Sequence, residues 1–168
     1  MKACLIVLLS LWGIYTAEVG VREQSGMNDG KRVETYLAYV GLKKGNPWCA
    51  AFVCWSLGQA RIRNPRSGWS PDLFPARKVC WQRSMSLQLK PVAGGEARRP
   101  RKGDVFGIYF SDKKRIAHVG FVDSWDEKYV ITVEGNTNEA GSREGDGVYR
   151  KRRLISSIYE VARWEEVL

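Results

Sequence analysis

The chain has 168 residues, a net charge of +9 and 44% hydrophobic residues, values that fit one compact domain and exclude a disordered or fibrous protein. With a single histidine and no CxxC spacing, a structural zinc site is excluded. The positive charge gathers in Lys43-Lys44 and in residues 98–102, 113–115 and 150–153. It favours a polyanionic partner, but no recognised nucleic-acid motif accompanies it. Any single cluster read alone is a solvated loop.

In chain order, residues 1–17, MKACLIVLLSLWGIYTA, carry one basic residue, Lys2, and then an apolar run from Ala3 to Ala17. This is the pattern of a signal peptide cleaved near Ala17, the run being short of the roughly 20 residues a membrane span needs. The alternative is an uncleaved membrane anchor formed by residues 3–17. Export leaves Cys49, Cys54 and Cys80, an odd number that requires one free thiol or an intermolecular bond in an oxidising compartment. A Cys54–Cys80 disulfide stays open at this point. Residues 18–28 read as a loose lead-in, and 29–168 as the domain proper.

Val33, Tyr36, Leu37 and Val40 recur at helical spacing over residues 29–40, with Asn28 as the expected N-cap and Gly41 as the stop. A second helix is expected after NPWCAAFVCW, with Asn46 as cap and Pro47 in the first turn. Trp48, Phe52 and Trp55 form one apolar stripe and Val53, Leu57 and Ala60 another, so this helix should be buried. Residues 70–81, SPDLFPARKVCW, predict a short third helix broken at Pro75. Beyond residue 103 the period changes to two. DVFGIYF, IAHVGFVDS, KYVITVEGN, GVYRKRR and IYEVARW read as strands of an antiparallel meander, giving an α+β domain.

Four residues in these elements could carry chemistry. Cys49 falls in the first turn of a helix, where free N–H groups and the dipole favour an anion and lower a thiol's pKa. That makes it a candidate nucleophile; the alternative is a buried core cysteine, which Cys54, amid Phe52, Val53 and Trp55, exemplifies. The only imidazole is His118, on a strand face shared with Gly120 and Val122. If residues 116–123 and 129–136 pair symmetrically about Asp126, His118 lies directly opposite Glu134, with Cβ atoms about 5 Å apart. Glu134 and Asn136 then share that face. A carboxylate or amide beside a histidine orients its ring and stabilises its cation. A one-residue slip would destroy the pairing.

The segments GNPWCAAFVCWSL, KGDVFGIYF, AHVGFV and VEGNTN, in this order over about residues 30–153, resemble the CHAP family of amidases and peptidases that cut peptidoglycan, related to the NlpC/P60 group. The resemblance implies a papain-like α+β core, with N-terminal helices packed on an antiparallel β-sheet. It implies Cys49 as nucleophile, His118 as general base and acid, Glu134 as the orienting group and Asn136 as a further polar member of the site. No organic cofactor is implied. Some members bind calcium through acidic residues shortly before the cysteine; residues 35–48 here contain no acid, so no metal dependence is expected. Trp48 is a candidate wall of the substrate groove, with packing into the core as the other reading.

The function expected is that of an exported cell-wall hydrolase, a monomer that acts on peptidoglycan and is drawn by charge to anionic envelope polymers. The alternatives are an inactive envelope-binding protein of the same fold, or a basic nucleic-acid-binding protein.

Overall fold

A computed structural model describes residues 10–83, 99–140 and 145–164 of the chain. Three helices, α1 (Leu11–Ala17), α2 (Lys31–Tyr39) and α3 (Cys49–Gln59), precede six strands. The strands are β1 (Val79–Gln82), β2 (Val105–Phe110), β3 (Arg115–Trp125), β4 (Tyr129–Thr137), β5 (Gly147–Leu154) and β6 (Glu160–Ala162). They form one antiparallel sheet in the order β1-β6-β2-β3-β4-β5. The chain is therefore α+β with a papain-like arrangement of helices on an antiparallel sheet. The expected meander holds from β2 to β5, while β6 crosses back to lie between β1 and β2.

Residues 70–81 do not form a helix. Two 3-10 turns, Ser70–Leu73 and Ala76–Lys78, stand on either side of Pro75, and the chain then enters β1. Pro71 and Pro75 each remove a backbone donor and fix φ, which stops a helix from propagating, and Val79-Cys80-Trp81 suits a strand. Rings of Trp81 on edge strand β1 and Trp125 on β3 meet at 5.1 Å. These strands are three steps apart in the sheet, about 14 Å if it were flat, so the sheet curls.

Helix α3 is apolar all round, and every residue from Cys49 to Leu57 is buried, as its composition predicts. It packs on α2, α1, β3 and β4. Gly135 allows the close approach to β4, since a Cβ there would stand 2.7 Å from the Trp48 ring and 2.9 Å from Phe52. The expected cap is not used. Asn46 donates to the Lys43 carbonyl, and the N-cap position falls on Trp48, which offers no side-chain acceptor. The start of α2 likewise moves, from Asn28 to Gly30, which holds a φ of 104°.

Helix α1 belongs to this core. Tyr15 is fully buried and stacks on Phe121 with ring centroids 4.5 Å apart, and its hydroxyl donates to the Val122 carbonyl. Leu11 and Ile14 are buried beside it, and Trp12 Nε1 donates to Asp123 Oδ1 at 2.9 Å. The residues that follow are tied down rather than loose. Glu18 pairs with Arg32 and accepts from Tyr36, Arg22 bridges to Gly147, and Glu23 accepts from Trp48 Nε1 at 2.8 Å. Residues 1–9 of the expected export segment lie outside the described residues.

Candidate active site

Cys49, His118 and Glu134 come from three elements that the fold brings together. Cys49 is the first residue of α3. The N-cap residue Trp48 makes no side-chain cap bond to the first turn, and the N–H groups at a helix start favour an anion. Asn136 sets where this helix begins. In the amide orientation that satisfies its neighbours, its oxygen accepts from the Trp48 N–H at 3.1 Å while its nitrogen donates to Asn28 Oδ1 and the Gly145 carbonyl. Asn136 holds a φ of 54° in an irregular stretch of β4, where one extra residue interrupts the pairing with β5. It thus binds the backbone at the start of α3, a place the sequence did not predict for it.

His118 follows a bulge. Ile108 pairs with His118 but Tyr109 pairs with Ile116, which leaves Ala117 as the extra residue of β3. Such bulges re-aim the neighbouring side chain. The β3–β4 register also differs from the symmetric expectation. Phe121 pairs with Val133 and Val122 with Thr132, the turn is displaced toward Glu127-Lys128, and a second bulge falls at Asp123. One step further along, Gly120 and not His118 stands opposite Glu134. On the His118 side of that bulge the displacement is two residues, which preserves the face of the side chains there, and the His–Glu contact survives on the diagonal. His118 Nε2 lies 2.8 Å from Glu134 Oε2. Gly120 makes room for that diagonal, since a Cβ there would lie 3.0 Å from Glu134 Cγ.

The carboxylate of Glu134, fully buried, is saturated with donors. Thr132 Oγ1 donates to Oε1, and Arg153 grips both oxygens, Nε to Oε1 and Nη2 to Oε2, at 2.6 Å each. Burial alone would raise its pKa, but the bonds from Arg153 and His118 hold it far below the usual carboxylate range. Arg153 and Thr132 are the functional residues that sequence reading missed. Arg153 was hidden in the run RKRR, where only the period-two alternation of β5 distinguishes inward from outward cations.

The second ring nitrogen of His118, Nδ1, is buried without a hydrogen-bond partner of ordinary geometry. The group with which the ring shares charge is the Cys49 thiol. Burial opposes charge on both, yet their mutual attraction prevails, lowering the Cys49 pKa and raising that of His118 to about 9, with Glu134 adding to the latter. Ser70 Oγ, 3.8 Å from Cys49 Sγ, and the Val119 backbone also favour the thiolate. Loose nucleophile–base contacts that tighten with substrate are common in empty active sites. The arrangement suits a thiolate–imidazolium pair beside a helix N-terminus.

The other thiols behave oppositely. Burial pushes Cys54 up to about 11, and burial together with the charge of Asp104 pushes Cys80 up to about 12. Both are free thiols; Cys54 lies in the helix-side core and Cys80 against the cluster on the other face of the sheet. Trp48 is a correction to the sequence reading. It has no exposed surface and stacks on Tyr36 at 5.6 Å, so it is a core residue and not a groove wall. Among the described residues no group of three or more His, Cys, Asp or Glu is placed to hold a metal ion.

The family model of the CHAP domain matches residues 41–136, more than half of the chain and the span that contains Cys49, His118 and Glu134. No curated protein and no solved structure matches it. The chain belongs to the CHAP domain family, whose members are generally hydrolases of the amidase or peptidase type.

Proposed function

We propose that this protein is an exported cysteine hydrolase that cleaves an amide bond of peptidoglycan, with Cys49 as nucleophile, His118 as base and acid, and Glu134 as the group that orients the ring. The observation that carries the reading is the division of labour at His118: one ring nitrogen is fixed on Glu134 and the other is left for Cys49. Asn136 acts at one remove, by holding the start of α3.

The Cys49 thiolate attacks the amide carbonyl and forms a tetrahedral oxyanion. Free N–H groups at the start of α3 stabilise that charge as it develops. The imidazolium of His118 gives its Nδ1 proton to the leaving amine, and the carbon–nitrogen bond breaks to leave a thioester on Cys49. The neutral ring then takes a proton from water, whose oxygen attacks the thioester, and Cys49 departs as thiolate. Glu134 stays ionised throughout, because Arg153 and His118 keep its proton affinity low. No helix among the described residues is long and apolar enough to cross a membrane. The strong positive charge would draw the protein to an anionic envelope.

The test is a digest of purified peptidoglycan by the wild-type protein and by Cys49→Ala, with products identified by mass spectrometry. Soluble fragments from the wild type alone support the reading, and their new termini name the bond. Binding to sacculi without release by either protein would replace it with the inactive envelope-binding alternative.

A further inference from the structure

Next to the thiol stands a pair of side chains that the chemistry above does not use. Ser70, which touches Cys49 Sγ, is preceded by Trp69, an indole left 50% exposed. The guanidinium carbon of Arg115 lies 3.9 Å from the centroid of that ring. Arg115 opens β3, two ladder steps from His118 across the Ala117 bulge, or about 7 Å along the strand. The pair therefore flanks the reaction centre at a reach of two to three residues of extended peptide.

Two features make this more than a surface contact. The backbone under Trp69 is fixed, because its N–H donates to Ser67 Oγ, which is bonded to Asp72, and its carbonyl accepts from the Asp72 N–H. Arg115 is half-buried and, among the described residues, has no acidic partner; its hydrogen bond there runs from Nη1 to the Ile116 carbonyl at 3.0 Å. The acid of the neighbouring turn, Asp112, pairs with Lys113 instead. A guanidinium held over an indole can keep its in-plane donors for another partner, and among the described residues the Nε–Nη2 edge of Arg115 makes no hydrogen bond. An edge of this kind matches a carboxylate with two parallel hydrogen bonds.

The geometry points to a carboxylate-binding subsite formed by Arg115 on Trp69, which selects peptides bearing a free carboxylate two to three residues from the amide that is cut. The inference rests on the hydrolase reading and names a feature of its substrate. It would make cleavage depend on whether that carboxylate is free or amidated, since a site built for a charged partner discriminates strongly against an analogue lacking it.

The test compares two soluble wall-derived peptides, identical except that one ends in a free carboxylate and the other in a carboxamide. Wild-type protein should cleave the carboxylate form with kcat/KM higher by about tenfold to a hundredfold, mostly through KM. Arg115→Met should abolish the preference while leaving hydrolysis of the carboxamide unchanged, which also shows that the variant is folded. Arg115→Lys should restore only part of the preference, because a lysine cannot offer the fork. Equal cleavage of both peptides by the wild type, or an equal loss on both in Arg115→Met, overturns the subsite alone. Failure of the wild type to cleave either peptide contradicts the hydrolase reading and the subsite with it.

Discussion

His118 Nε2 and Glu134 Oε2 meet at 2.8 Å across a diagonal of the sheet, and the residue directly opposite Glu134 is a glycine. A side chain at Gly120 would meet the Val133 carbonyl at 2.7 Å, the Phe106 ring at 2.9 Å and Glu134 Cγ at 3.0 Å. The first of these is backbone and cannot yield cheaply. Gly120→Ala should therefore lower stability by about 1–3 kcal/mol, the usual cost of overpacking, and reduce kcat/KM by displacing Glu134. Urea denaturation beside steady-state kinetics checks both; a variant with wild-type stability and rate contradicts the packing described.

Arg153 neutralises the buried carboxylate that faces His118. In Arg153→Met, Glu134 loses a cation and keeps its charge, which costs on the order of 3–5 kcal/mol for a broken buried pair. With that cation gone, the His118 cation is held more tightly, so its pKa rises. The alkaline limb of the kcat/KM profile should move to higher pH, a shift that a purely structural defect would not produce.

The wild-type pH profile follows from the same pair. Cys49 is lowered and His118 raised to about 9, so thiolate and imidazolium coexist between the two values. Activity should rise as Cys49 loses its proton, below the ordinary thiol range, and fall as His118 loses its own near pH 9. In Glu134→Gln the ring loses its anion, and the falling limb should move to lower pH. The rate should drop on the order of 10²–10⁴-fold, as for other orienting carboxylates.

Much of this was legible in the sequence. The five predicted strands after residue 103 appear where the sequence placed them, although only β5 alternates regularly in exposure, β3 and β4 being buried on both faces. Cys49 at a helix start could be read from Pro47 and the apolar run behind it. What the sequence could not give was set by tertiary context. The register of β3 depends on a bulge at Ala117 against β2 and another at Asp123 against β4, which leave no periodic signal. The contact survived because the displacement was an even number of residues. Arg153 could not be told from its neighbours Arg150, Lys151 and Arg152 until β5 was placed beside β4, and Asn136 found its role through backbone atoms 88 positions away, at Trp48.

The N-terminal apolar run was the least decidable, since a leader and a core helix share one composition. The packing of Tyr15 and Trp12 places α1 in the folded domain. Tyr15→Ala should cost about 3–5 kcal/mol, as expected for a buried aromatic, and a protein beginning at Glu18 should be less stable than one beginning at Ser10. If the protein is exported, α1 should be retained rather than removed by cleavage near Ala17, which N-terminal sequencing of the secreted form would reveal. A mature form beginning at Glu18 with undiminished stability contradicts this account.

The central claim is that Cys49 is an activated thiol and its two companions are not. The most direct measurement is the rate of iodoacetamide labelling at each cysteine of the native protein from pH 5 to 9, read by peptide mass spectrometry, with His118→Ala alongside. Cys49 should label well below pH 8 while Cys54 and Cys80 stay silent, and its reactivity should retreat to higher pH when His118 is removed. Slow, uniform labelling of all three cysteines, unchanged by the loss of His118, would contradict it.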